Sequence, residues 1–163
     1  MNLIKELPEE LQVQIFKDLL IKDLLDEQLE MVTQDGRNIK FIKNPSEKVQ
    51  LAAVTRSGYV IQFIDFPSEE MQLISVSQDG RNICHIKDPS EKVQLAAVTE
   101  DGYAISYIKE DPSEKVKLAA VTRYGLSIEY IKDPSEKVQL AAINQNPNSF
   151  RFIKNPTKKV KYT

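Results

Sequence analysis

The chain has 163 residues, 41% hydrophobic and 28% charged, a balance that fits one globular domain and excludes a disordered one. Its net charge of −2 gives no field that would draw it onto nucleic acid or anionic lipid. The only cysteine, Cys84, excludes an internal disulfide and fits a reducing compartment, and no apolar run is long enough for a membrane span. The opening MNLIKELPEELQ lacks the basic flank and apolar run of a secretory signal, so a soluble cytoplasmic protein is expected.

In chain order, the first predicted element is an N-terminal cap helix within residues 1–22. Pro8 opens it, Glu9 and Glu10 sit in its electropositive first turn, and Leu11, Ile15, Phe16 and Leu19 form an apolar stripe. Residues 7–25, LPEELQVQIFKDLLIKDLL, also resemble the first part of an F-box, through the LPxEL, IF and DLL elements. That resemblance implies docking on a Skp-type ubiquitin-ligase adaptor, although no tryptophan-bearing segment follows.

Residues 23–154 restate one phrase, as in NPSEKVQLAAVTRSGYVIQFI from Asn44 and DPSEKVQLAAVTEDGYAISYI from Asp88. Its prolines, Pro45, Pro67, Pro89, Pro112, Pro134 and Pro156, are spaced 22, 22, 23, 22 and 22. The glycines Gly36, Gly58, Gly80, Gly102 and Gly125 form a second ladder that slips in the same place, which marks one inserted residue near Glu110. Tandem units of this length predict a solenoid in which each unit buries its faces only against its neighbours.

Within a unit, Asp88 is expected to cap a helix, with Pro89 at the first helical position and Glu91 at the third, reaching back in a capping box. Gly102 is expected to close that helix at positive φ, which leaves about 13 helical residues between Pro and Gly. Val93, Leu95, Ala96, Ala97 and Val98 leave a narrow polar strip, so the helix should lie between neighbours, and the Ala pair should let axes approach closely. The second segment, as in Ile105-Ser106-Tyr107-Ile108, could be a strand or a short helix. The Ile pair at i and i+3 shares a helical face, so a helix is preferred.

The phrase PSEKVQLAAVTxxGYxIxFIK resembles the short repeat catalogued as domain-of-unknown-function family four-one-one-six, found in bacterial, phage and giant-virus proteins. The resemblance covers residues 23–160 and implies a helical-repeat fold without a catalytic signature. It also implies a small viral or phage inhibitor or adaptor acting on a host protein.

The last unit, residues 155–163, is truncated and basic. From Arg151 onward there are five basic residues and no acid, whereas residues 1–31 carry three lysines against eight acids. This polarity fits a monomer with two solvated ends, or weak head-to-tail self-association.

Chemistry is sparse. His85 takes the slot filled elsewhere by Phe63, Tyr107 or Tyr130, so it is expected to be a packed aromatic substitute rather than a catalyst. No basic neighbour lowers the Cys84 thiol pKa, and no zinc spacing, phosphate loop or calcium loop is present. No enzyme activity, cofactor or metal is expected.

The units differ around the glycine. Arg37, Arg56, Arg81 and Arg123 lie within two residues of it, with Tyr59, Tyr103 and Tyr124. Stacking aligns these turns along one edge, beside the variable polar slots Lys40, Gln62, Cys84, Ser106, Glu129 and Arg151. Arg and Tyr are enriched at interface hot spots, so this edge is the predicted protein-binding surface. The bland alternative makes Asp35–Arg37 and Asp79–Arg81 local ion pairs of little energetic weight. Phe66, in the unit that departs most from the phrase, either staples a helix start or anchors a partner; the staple is preferred. In the same unit Ile74 replaces an alanine and should push the neighbouring helix outward. The expected molecule is an all-α solenoid of about six 22-residue helix-turn-helix repeats that binds another protein without catalysis. Nucleic-acid binding along the arginine edge is a further alternative, and the interspersed Asp35, Asp79, Glu100 and Asp101 oppose it.

Overall fold

The computed structural model describes residues 7–161, and every regular element among them is helical. Helix α1 (Glu9–Gln34) is followed by α2 (Glu47–Arg56), α3 (Glu69–Gln78), α4 (Glu91–Glu100), α5 (Glu114–Arg123), α6 (Glu136–Gln145) and the short α7 (Lys158–Lys161). A six-residue 3₁₀ helix fills each interval: Gly36–Phe41, Gly58–Phe63, Gly80–His85, Gly102–Tyr107, Gly125–Tyr130 and Pro147–Phe152. Each α-helix packs on the next, α1 to α6 also pack on the 3₁₀ helices adjoining them in sequence, and successive 3₁₀ helices pack on one another. The result is a two-layer α-solenoid, and the preferred helical reading of the second segment holds.

The core lies between the layers. From the α-helices it takes Val49, Val54, Val93, Val98, Val116, Val121 and Val138, and the inner alanines Ala53, Ala97, Ala120 and Ala142, all fully buried. From the 3₁₀ helices it takes Ile39, Ile61, Ile83, Ile105 and Ile128. Three residues on, Ile64, Ile86 and Ile131 are also buried and Ile42 and Ile108 half-buried, because a 3₁₀ helix repeats every three residues; in the last repeat Ile153 is buried three residues after Phe150.

The start of each α-helix differs from the expected pattern. Ser90, not Asp88, is the N-cap of α4: its hydroxyl accepts from Val93 N–H at 3.4 Å, as Ser46, Ser68, Ser113 and Ser135 do in their repeats. Pro89 therefore precedes the cap, and the helix has 10 residues rather than 13. Asp88 has φ 49°, with Asn44 at 52° and Asp133 at 47°. Asn and Asp tolerate this left-handed region better than other non-glycine residues; Phe66, Asp111 and Asn155 hold the same place without adopting it. Glu91 occupies the first helical position and makes no capping box; it accepts from the hydroxyl of Ser113 in the next repeat at 3.1 Å. Glu69 does the same for Ser90 at 2.7 Å, and Glu114 for Ser135 at 2.5 Å. The nearly invariant Ser-Glu pair thus caps one helix and ties it to its neighbour.

The glycines differ as well. No glycine has positive φ. Each opens a 3₁₀ helix pressed against the next α-helix. A Cβ on Gly36 would stand 2.7 Å from the Ala53 carbonyl oxygen, and one on Gly102 equally close to that of Ala120. Close backbone approach selects glycine here.

Three further departures follow the sequence. The cap helix does not end near residue 22: α1 runs 26 residues without a break. The absence of Pro or Gly between Pro8 and Gly36 is the signal for it. In the repeat that follows the inserted residue, Lys117 of α5 replaces the glutamine that elsewhere donates to the proline carbonyl (Gln94 to Pro89, 3.0 Å). Lys117 instead pairs with Asp111 at 2.8 Å and is 8% exposed. In α3, Ser75 takes the inner alanine position and its buried hydroxyl donates to the Gly58 carbonyl at 2.8 Å. Ile74 is half-buried against the N-terminal cluster, which holds Val32, Val49, Val54 and Met71. A larger second cluster runs from Ile61 and Val76 to Val160, so the core changes hands at α3.

Candidate protein interaction surface

The same local rule that buries the isoleucines displays the aromatics. The last residue of each 3₁₀ helix, just before the isoleucine that follows it, points away from the core: Phe41, Phe63, His85, Tyr107 and Tyr130 are exposed, and Phe152 is half-buried. Sequence reasoning treats this slot as packed; the structure makes it a row, one ring per repeat, on the 3₁₀ face. At about 10 Å per repeat the row is roughly 50 Å long.

The predicted tyrosines join this row. Tyr59, at the turn, meets the His85 ring of the next repeat edge-on at 5.3 Å. His85 is thus an exposed partner of Tyr59, not a packed core ring. Tyr103 contacts Tyr124 at 4.4 Å and Tyr130 at 6.0 Å, again across the repeat boundary. Hydrogen bonding to Tyr124, with burial, pushes the Tyr103 phenol up to about 12. A depression of about 510 Å³ at this turn is lined by Arg81, Asp101, Tyr103, Arg123 and Tyr124. The polar slots border the row. Lys40 lies 4.8 Å from the Phe41 ring centre and Arg151 lies 4.6 Å from that of Phe152. Gln62 and Ser106 donate to the carbonyls of Tyr59 and Tyr103. Glu129 lines a cleft with Tyr130 and Phe152.

The arginines divide into two kinds. Arg37 forks onto its own Asp35, with Nη2 to Oδ2 at 2.7 Å. That hydrogen bond holds the Asp35 carboxyl down at about 2. Arg81 reaches Asp101 of the next repeat at 2.9 Å in preference to Asp79 at 4.0 Å. Arg56 donates from Nε to the Thr33 carbonyl at 3.0 Å, and Arg123 donates to those of Thr99 and Glu100 at 3.1 Å. These two end their α-helices and clasp the C-terminal turn of the preceding one. Gln78, Glu100 and Gln145 hold the same place and accept from Gly58, Gly80 and Gly125 N–H; Gln78 also donates from Nε2 to the Val54 and Thr55 carbonyls at 3.1 Å, and so makes both bonds at once. The variation around the glycine is therefore partly a choice between two inter-repeat clasps.

Phe66 is 94% exposed and staples nothing, which overturns the preferred reading of that residue. It follows the 3₁₀ helix that carries Phe63. Cys84 is exposed, and desolvation followed by the Asp79 charge pushes its thiol pKa up. Among the described residues no group of His, Cys, Asp and Glu could hold a metal ion, and no helix is long and apolar enough to cross a membrane.

No protein-family model, curated protein or solved structure matches this chain.

Proposed function

We propose that this chain is a non-catalytic helical-repeat module that binds another protein along the aromatic row of its 3₁₀ face and the adjoining turn edge. The carrying observation is the regular display of one ring per repeat, with Phe41 71%, Phe63 43%, Tyr107 44% and Tyr130 49% exposed. Aromatic rings offer large contact area at low entropic cost, and a repeating array suits an extended segment or a broad surface. Tyr59, Tyr103, Tyr124 and Phe66 widen the surface, and Arg151 borders its far end. The carboxylates beside Arg37 and Arg81 neutralise the edge, which favours protein over nucleic acid.

The test is partner capture with the wild-type chain and with a Tyr59→Ser, Phe63→Ser, Tyr107→Ser and Tyr130→Ser variant. The partner found with the wild type should be lost with the variant and kept by Lys137→Ser, an exposed site on an α-helix. A partner retained at equal yield by the aromatic variant overturns the proposal.

A further inference from the structure

Helix α1 has more apolar surface than its neighbours cover. By repeat register its last ten residues, 25–34, match α2, and Leu25, Leu29 and Val32 pack into the core there. Residues 9–24 continue past α2 for about 24 Å at 1.5 Å per residue. On this overhang Val13, Phe16, Leu20 and Leu24 are 46%, 60%, 71% and 53% exposed. Their spacing of three, four and four places them on one helical face. Leu11, Leu19 and Ile21 are exposed on its other sides, so the expected stripe of Leu11, Ile15, Phe16 and Leu19 is not packed as a unit.

The α-helical face offers at least two matching receptors. Between α4 and α5, Leu95, Leu118 and Ala119 floor a groove of about 490 Å³ rimmed by Lys115 and Arg123. Between α1 and α2, Leu29, Leu51 and Ala52 floor an equivalent groove of about 490 Å³ rimmed by Lys48 and Arg56. The overhang is of opposite sign: residues 9–27 carry six acids and two lysines. Pairing one overhang with another would put like charges together. An antiparallel pair with Val13 opposite Leu24 sets Glu10 against Glu27, and a parallel pair sets each acid beside its own copy. The basic-rimmed grooves have the complementary charge.

We propose that the Val13/Phe16/Leu20/Leu24 stripe of one chain docks in an α-face groove of a second copy of the chain. The contact is heterologous, stripe to groove, and leaves the aromatic row on the opposite layer free.

Sedimentation velocity of the full chain tests this. The wild type should associate as concentration rises, more weakly at high salt. Phe16→Ser with Leu20→Ser should sediment as a monomer. Ala52→Ile with Ala119→Ile, which places in both grooves the residue that Ile74 supplies in α3, should also be monomeric. An equimolar mixture of these two variants should associate again, because each retains the half the other lacks. Lys48→Glu with Lys115→Glu, at exposed positions, should lose association at low salt without any change to the apolar floor. A wild type that stays monomeric at every concentration overturns the proposal. So does undiminished association of either apolar variant, or a mixture that fails to associate. A Skp-type adaptor that binds the stripe of an otherwise monomeric chain would overturn it in favour of the adaptor reading.

Discussion

At the scale of single residues, several letters do a different job from the one their type first implies. Glycine is the clearest case. Gly102 has ordinary backbone angles, and its missing side chain makes room for the Ala120 carbonyl 2.7 Å from where a Cβ would stand. Gly102→Ala should therefore destabilise the fold by about 2 kcal/mol through overpacking, read from urea unfolding. Asp88 is the converse: a position expected to cap a helix is held at φ 49°. Asp88→Gly should leave stability nearly unchanged, whereas Asp88→Val should lower it by about 1–2 kcal/mol in the same assay. Asp35 gives a reading by pH. Its folded pKa, lowered from 3.8 to about 2 by Arg37, lies below the unfolded value. Its contribution is complete above the unfolded pKa and lost as pH falls through the folded one. An NMR titration of Asp35 should show the low midpoint, and Arg37→Ala should raise it without restoring the ordinary value, because the backbone N–H of residue 37 still donates to Oδ1.

At the scale of elements, the legible and the hidden parts of the fold separate cleanly. The Pro and Gly ladders delimit every repeat, and Ile at i and i+3 identifies the second segment as helical. What the letters do not show is which neighbour they serve. Asp88 and Glu91 read as a local capping box, yet Ser90 caps the helix while its hydroxyl donates to Glu69 one repeat back, and Glu91 accepts from Ser113 one repeat on, so the working pair is Ser90 and Glu91. Comparing repeats reveals that the pair is constant but not whether its bonds lie within a repeat or between repeats. The aromatic slot is ambiguous for a similar reason. A ring between two buried isoleucines is apolar like them, and only the tight 3₁₀ period turns it outward. Phe66 reads as a staple from its place at the start of α3, but its ring is almost wholly exposed. Ser90→Ala should cost about 1 kcal/mol as a lost cap. It should also raise the Glu69 pKa, since the Ser90 hydroxyl is the first of the groups that lower it. A cap without the lateral bond would leave Glu69 unmoved.

At the scale of the whole molecule, a solenoid has no single centre, so its stability is a sum of repeats and the contacts between them. Here the sum is uneven. The buried cluster up to Met71 is small, whereas the one from Ile61 to Val160 extends through the remaining repeats. The two meet at α3, where Ser75 places a hydroxyl in an otherwise alanine-lined seam. Hydrogen exchange should therefore divide the chain: amides of α1 and α2 should exchange through partial opening at lower free energy than those of α4 and α5. Equal protection throughout would show that α3 transmits cooperativity undiminished. Ser75→Ala, which restores the residue of the other repeats, should narrow the difference.

The two kinds of clasp at the α-helix ends carry a consequence for rearranging the chain. Where a helix ends in Gln or Glu, the oxygen needs an N–H on the unit before it; where it ends in Arg, the guanidinium needs that unit's free carbonyls. Each repeat is thus written partly in the grammar of its predecessor. Shuffled or consensus arrays assembled from these units would inherit that syntax, and joins that respect it should tolerate reordering better than joins chosen by similarity of the units alone.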